Sequence, residues 1–316
     1  MRKTTVFVLG EAVASRFIIP VLLLMAMGVL GQQPPATTRS PSTDDQYVLG
    51  PDSQPQGGIP EGKIIEFMLK DSKMFPGFEH KWWLYIPAQY DGKKPAALMV
   101  FQDGEGYMKR DGRWRVPVVL DNLIAKGQLP IMAAVFVSSG QSLEKSPDGK
   151  PLASNRSVEY DTLNANYATF LLREILPEVR KHVKITDDPK GRGIAGASSG
   201  GICAFTVTWQ RPDQFRKLLS FYGSFVNIRG GGEYPNLVRK SAKKPIRMFQ
   251  QDGAGDVLGG VYASLDWPAG NKAMAAALDE KGYDHKFVFG EGTHNSAHGG
   301  SIFPDAMRWL WRDYPR

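Results

Sequence analysis

Cysteine is nearly missing from this chain of 316 residues, with Cys203 standing alone. No intramolecular disulfide can form, so apolar packing must hold the fold, and 42% hydrophobic residues suffice for a full core. Histidine is scarce too, at five, which keeps the search for a base or a metal ligand short. Massed charge of one sign is absent. The formal net charge is +7, but basic residues are scattered, apart from short pairs such as Lys243-Lys244. There is no arginine-rich arm and no aromatic-basic stretch, so the balance reads as solubility and mild attraction for acidic substrates rather than nucleic-acid binding. No internal repeat and no strong second-domain boundary interrupts a length that suits one large α/β domain.

The N-terminal residues 1–31 read as a secretory signal peptide. Arg2, Lys3 and Arg16 supply positive charge, and 18–30 is an apolar run too short for a comfortable membrane span. Val29 and Gly31 offer a small-residue cleavage site. No cysteine follows it, which excludes a lipoprotein anchor; a retained N-terminal anchor is the alternative. Residues 32–60 are rich in Pro, Ser, Thr and Gln and read as a flexible linker. The folded domain is then 61–316, and the expected location is exported, periplasmic or extracellular.

Within that domain, short apolar runs bounded by turn residues alternate with helical spacings. Strands are expected at 63–69, 81–86, 97–101, 131–137, 191–195, 217–221, 245–250 and 285–289. Helices are expected at 116–125, 162–183, 202–209, 271–281 and 301–311, with Pro177 kinking or dividing the second. The segments 138–155 and 223–244 read as irregular excursions, the second as a possible lid. The alternation argues for an α/β fold with a mostly parallel central sheet and helices on both faces.

One stretch organises the chain: Gly193-Ile194-Ala195-Gly196-Ala197-Ser198-Ser199-Gly200-Gly201. It contains G-x-S-x-G between a strand and a helix, the context of a nucleophile elbow with Ser198 at its apex. Gly196 and Gly200 leave room for the strained turn. The helix start places free N–H groups where a negative oxygen would develop. Cys203, just beyond, reads as a small buried residue rather than a catalytic thiol.

A serine hydroxyl needs a histidine to take its proton and a carboxylate to orient that histidine. Functional groups gather at the carboxyl ends of parallel strands, so the acid and the base should follow later strands, in the order Ser, acid, His. His80 and His285 lie at strand starts and His182 near a helix end. His294 follows a strand in a Gly-rich loop and is the expected base, with His298 as its rival. The two could share a helix face and bind metal, but no H-E-x-x-H pattern is present and Gly299-Gly300 reads as a helix breaker, so no metal or cofactor is expected. Asp256 is favoured as the acid over Asp252, which reads as a turn cap, with Asp266 an outside candidate. The oxyanion hole is expected from the Ser199 N–H and the turn at Asp103-Gly104-Glu105. Tyr222, Phe225, Tyr262 and Trp267 are candidate walls of a substrate pocket, with Trp267 and Tyr222 first.

These residues resemble a known family. Met99-Val100-Phe101-Gln102-Asp103-Gly104, Phe170-Leu171-Leu172-Arg173-Glu174-Ile175-Leu176-Pro177, Ala195 to Gly201, Gly253-Ala254-Gly255-Asp256 and Gly292-Thr293-His294-Asn295 are similar to segments of the Putative esterase family of α/β-hydrolases. That family includes enterochelin esterases, feruloyl esterases and S-formylglutathione hydrolases. The resemblance runs from about Glu61 to the C-terminus and implies the α/β-hydrolase fold, with Ser198 as nucleophile, Asp256 as acid and His294 as base. The chain departs from the family pattern in having Thr293 for a common Gly and Asn295 for a common Asp. The expected function is an exported serine esterase that acts through an acyl-enzyme on a small-molecule or polysaccharide-linked ester, feruloyl or acetyl. The alternatives are a siderophore esterase, an acyltransferase of mycolyltransferase type, and an inactive carbohydrate-binding homologue.

Overall fold

A computed structural model describes residues 43–315. The expected signal peptide and residues 32–42 of the expected linker lie outside the described residues. In chain order the elements are β1 (Lys63–Leu69), β2 (Phe78–Ile86), β3 (Ala97–Gln102), α1 (Gly104–Met108), α2 (Val116–Ala125), β4 (Met132–Val137), β5 (Gln141–Ser142), α3 (Arg156–Asp161), α4 (Asn166–Phe170) and α5 (Leu176–His182). They continue as β6 (Arg192–Ala197), α6 (Ser199–Gln210), β7 (Lys217–Phe221), α7 (Tyr234–Lys240), β8 (Arg247–Gly255), α8 (Trp267–Glu280), β9 (Asp284–Thr293) and α9 (Ser296–Trp311).

The strands form one sheet in the order β1-β2-β4-β3-β6-β7-β8-β9, with the short β5 paired to β2. β2 is antiparallel to β1 and β4; from β4 to β9 every pair is parallel. The central strands are buried along their whole length, as expected of strands covered on two faces. Alternate residues serve different layers. Leu98, Val100, Val135, Ile194 and Leu218 pack with side chains of α4, α5, α6, α7 and α8. Ala97, Met99, Phe101, Phe136, Leu219 and Phe221 pack with α2 and α9. The period of two thus turns each strand into a partition between two cores.

The long helix expected over 162–183 is α4 and α5 joined by a π turn at Leu171–Ile175. Pro177 has no N–H to give the carbonyl four residues back, and the Leu176 N–H instead reaches the Leu171 carbonyl, a bond that spans five residues. Four further differences bear on function. The excursion over 223–244 contains α7. β8 and β9 run on through the Gly-rich ends read as loops, because Gly253 lets the two backbones close: a Cβ there would stand 2.2 Å from the Gly292 carbonyl oxygen. α9 begins at Ser296 and carries Gly299-Gly300 inside it. These two glycines serve packing rather than breakage, since a Cβ would meet the Trp114 ring at 2.5 Å and the Arg113 carbonyl oxygen at 2.4 Å. Finally, from Thr43 onward the expected flexible linker is packed on the domain, with short 3-10 turns at Thr43–Gln46 and Pro51–Ser53 and Ser53 fully buried.

Candidate active site

β6 ends at Ala197 and α6 starts at Ser199, so Ser198 must reverse the chain in one residue. Its backbone stands at φ 55°, ψ −124°, a region that costs a non-glycine residue of order 1–3 kcal/mol. Bonds from the turn hold it there. The Ser198 N–H donates to the Phe221 carbonyl at 3.0 Å, and its own carbonyl accepts from the N–H groups of Gly201 at 2.9 Å and Ser224 at 3.0 Å. The small neighbours are obligatory: a Cβ on Gly196 would overlap the Gly200 backbone at 2.3 Å, and one on Gly201 would lie 2.7 Å from Ser220 Oγ.

The later strands deliver the other two groups. β8 and β9 stay paired as far as Gly255 opposite Thr293. Asp256 and His294 each follow that last pair by one residue. His294 Nδ1 lies 2.6 Å from Asp256 Oδ1, and His294 Nε2 lies 2.8 Å from Ser198 Oγ. An ionised carboxylate only accepts hydrogen bonds, so the Nδ1 proton points at Asp256 and Nε2 is left to accept from the serine hydroxyl. Asp256 is 1% exposed, which strengthens its pull on the imidazole.

The imidazole is enclosed by aromatic rings. Tyr222 meets it edge-on with centroids 4.8 Å apart, and Trp267 at 5.3 Å. Trp267 is 1% and Tyr222 8% exposed, so the two rings expected to line a substrate pocket instead pack around the base. Phe225 is buried in the core as well. Tyr262 is the one of the four that faces solvent, edge-on to Trp267. Val257 and Val261 are exposed as well, and a cavity of about 350 Å³ at the acid loop is lined by Ala254, Asp256, Val257, Leu265 and Asp266. The Asp266 side chain caps α8 by accepting from the Ala269 N–H and is thus spent away from His294.

Two helices start near the serine turn, α6 at Ser199 itself and α1 at Gly104. Neither α1 nor α6 has a side-chain cap, so the first N–H groups of each, those of Gly104, Glu105 and Ser199, are the orphan donors of a helix start. The α6 start adjoins the end of β3: a Cβ on Gly200 would be 3.2 Å from Asp103 Oδ2 and 3.3 Å from Gln102 Cβ. Asp103 itself is left-handed at φ 53°. Arg156 grips its carboxylate in a fork with both bonds at 2.8 Å, and its N–H donates to the Tyr160 hydroxyl. Sequence reasoning missed this Asp103–Arg156 clamp, as it missed Ser224, whose Oγ lies 3.4 Å from Ser198 Oγ and accepts from Trp267 Nε1. Neither carries a motif; both arise from chain segments far apart in sequence.

The remaining histidines are elsewhere. His298, in the first turn of α9, accepts at Nδ1 from Gln251 Nε2 and stacks on Tyr47 with centroids 4.1 Å apart; burial lowers its pKa. His80 is buried against Glu159, and His285 pairs with Asp279. His182 ends α5. Asp252 is fully buried behind Asp256. Burial, and the Asp256 carboxyl within hydrogen-bonding reach, push its pKa up to about 9. Cys203 is buried in α6 and its thiol is pushed up by burial.

Comparison with known proteins gives the family and the fold. A sequence profile described as Putative esterase matches residues 75–298. Among curated sequences, the chain is similar to the uncharacterized protein YbbA of Bacillus subtilis (strain 168), 24% identical over 248 residues that make up 74% of this chain and 95% of that protein. Among solved structures it resembles the enterobactin esterase of Shigella flexneri crystallised in the presence of enterobactin, with TM-score 0.64, 20% identity, and coverage of 82% of this chain and 60% of that one. It also resembles a ferulic acid esterase of the anaerobic fungus Anaeromyces mucronatus, with TM-score 0.61, 15% identity, and coverage of 84% and 95%. The chain thus spans about three fifths of the length of the enterobactin esterase. At these identities the structural likeness is one of fold, the mixed α/β sheet of the α/β-hydrolase esterases.

Proposed function

The chain belongs to the Putative esterase family, whose chemistry is carboxylic ester hydrolysis, and we propose that it performs this reaction as a serine esterase. The observation that carries the reading is the continuous hydrogen-bonded line from Ser198 Oγ through His294 to Asp256. Ser198 Oγ attacks the ester carbonyl while its proton passes to His294 Nε2. The N–H groups of Ser199 and of the Gly104-Glu105 turn stabilise the oxyanion. His294 then gives its proton to the departing alkoxide, leaving an acyl group on Ser198. Water, deprotonated by the same nitrogen, attacks the acyl-enzyme and releases the carboxylic acid. Asp256 keeps the imidazole in the required tautomer and stabilises its charged form.

The preferred substrate is an ester of a feruloyl or acetyl group on polysaccharide. The exposed apolar side chains of Val257, Val261 and Tyr262, in the segment that follows Asp256, support an aromatic or apolar group near the acid loop. A catecholate siderophore ester is the second reading, favoured by the fold shared with the enterobactin esterase. Export, with removal of residues 1–31, completes the proposal. The test is Ser198→Ala on a short-chain aryl ester, where kcat should fall by roughly 10⁶. Undiminished turnover removes the mechanism. Methyl ferulate, acetylated xylan and a siderophore lactone, run side by side, separate the substrates. N-terminal sequencing of the secreted protein decides the cleavage.

A further inference from the structure

Asp44 belongs to the stretch that composition marks as linker, yet its carboxylate is used up on the loop that presents His294. Oδ1 accepts from the Thr293 N–H at 2.9 Å, and Oδ2 accepts from Thr293 Oγ1 at 2.5 Å and from Asn295 Nδ2 at 2.7 Å. Asp44 therefore grips the residue before His294 and the residue after it. Asn295 ties the grip together, since its Nδ2 also donates to Thr293 Oγ1 and its Oδ1 caps α9 by accepting from the Ala297 N–H. Three residues on, the Tyr47 hydroxyl accepts from the Glu291 N–H at 2.9 Å, and the Tyr47 ring lies over His298. The loop is shaped to receive this segment: a Cβ on Gly290 would stand 2.4 Å from the Tyr47 hydroxyl.

The segment is anchored at a second point. Asp52 accepts from Nζ of Lys126, the C-cap of α2, at 2.6 Å and pairs with Arg308 of α9. Asn122 Nδ2 donates to the carbonyls of Asp52 and Gln54, both at 2.9 Å. The chain between 44 and 54 is thus a strap, tied at one end to the domain body and at the other to the histidine loop. Thr293 and Asn295, the residues on either side of His294, are the two that Asp44 holds.

We propose that Asp44 is a positioning residue for catalysis, acting through Thr293 and Asn295 to hold the His294 imidazole in line with Ser198. The inference rests on the triad reading above. The carboxylate at 44 accepts from the amide at 295, so donor and acceptor can be exchanged between the two positions. Misplacement of a catalytic group by about 1 Å costs on the order of 10²-fold in rate, so loss of the grip should act on turnover and leave ester binding alone.

The experiment uses the full chain and an aryl ester, with active sites titrated by a fluorophosphonate. Asp44→Ala should lower kcat per titrated site by about 10- to 100-fold, with KM within about threefold of the parent. The exchange Asp44→Asn with Asn295→Asp restores the pair with donor and acceptor swapped and keeps an acceptor at the α9 cap. It should recover kcat to within about fivefold of the parent. A kcat per site within twofold of the parent in Asp44→Ala, a lowered melting temperature as its sole effect, or an exchange variant no better than Asp44→Ala overturns the proposal. If Asp44→Ala yields no soluble protein, Tyr47→Phe decides, because it deletes the bond to the Glu291 N–H and keeps the ring on His298. A kcat loss of threefold or more supports the strap, and an unchanged kcat overturns it. Ser198→Ala assayed alongside separates the failures. Turnover surviving there removes the triad reading, whereas an inert Ser198→Ala beside a fully active Asp44→Ala removes the strap alone.

Discussion

Asp252→Asn should flatten the pH dependence of this protein's stability. Asp252 is fully buried, and its Oδ1 accepts from the Gly253 N–H. Its Oδ2 and the Oδ2 of Asp256 are both buried without a well-aligned hydrogen-bond donor among the described residues, and the Asn271 amide near Asp252 only partly offsets the rise in its pKa. A proton shared between the two carboxyls satisfies both. Burial first, and Asp256 second, push the Asp252 pKa from the ordinary 3.8 up to about 9. Between those values the folded chain holds a proton that the unfolded chain releases. The stabilisation is therefore complete below the unfolded value of 3.8, declines as pH rises, and is gone once pH passes through about 9. One proton of difference corresponds to about 1.4 kcal/mol per pH unit. Asparagine keeps a neutral donor facing Asp256 and an acceptor for Gly253, and it cannot ionise. Urea denaturation of the parent and of Asp252→Asn at pH 5, 6, 7 and 8 should give two lines that converge toward low pH. Their separation should change by about 1.4 kcal/mol per unit, or roughly 4 kcal/mol across the range. Titrating groups outside the Asp252–Asp256 pair are common to both proteins and cancel. Parallel lines would refute the shared proton.

Three further outcomes follow from the geometry. Asp256→Asn should lower kcat by roughly 10⁴ by leaving the imidazole in the wrong tautomer, while Asp252→Asn at pH 7 keeps most of the activity; equal losses in steady-state kinetics would show that the acid has been misassigned. Gly299→Ala sets two effects against each other: alanine favours a helix by about 1 kcal/mol, but its Cβ would sit 2.5 Å from the buried Trp114 ring, and overpacking costs about 1–3 kcal/mol. The clash should win, and a raised melting temperature would contradict the packing account. Cys203, 1% exposed with its thiol pushed up by burial, should resist an aromatic disulfide reagent in native protein and react at once in denaturant; rapid native labelling would contradict its burial.

The sequence exposed most of the sheet because parallel strands buried on both faces leave unbroken apolar runs, such as Leu98 to Phe101 and Ala133 to Val137. It also placed Ser198, Asp256 and His294 at strand ends, which the structure brings to one rim. What it concealed has a common cause. Glycine reads as an interruption, yet Gly253 continues β8 and Gly299 continues α9, because each was chosen for what lies opposite it. Nothing local to those residues reveals a Gly292 carbonyl or a Trp114 ring. Asp44 and Tyr47 were concealed by averaging: the composition of 32–60 is that of a linker, and one acid and one ring do not alter it. Trp267 and Tyr222 were placed near the chemistry, but an aromatic in a loop gives no sign of whether it faces a ligand or a neighbouring side chain.

Asp256 and His294 both leave the ladder immediately after the pair Gly255 and Thr293, so their spacing is set by a single rung. Any fluctuation that lifts this end of the sheet carries acid and base together, as two teeth of one gear. Ser198 sits two strands away across β7 and meets them through one contact at the far ring nitrogen. The triad therefore has a stiff axis and a soft one, and whatever loosens the enzyme, whether heat, a bulky acyl group or a surface mutation, will open the gap at the hydroxyl before it parts the imidazole from its carboxylate.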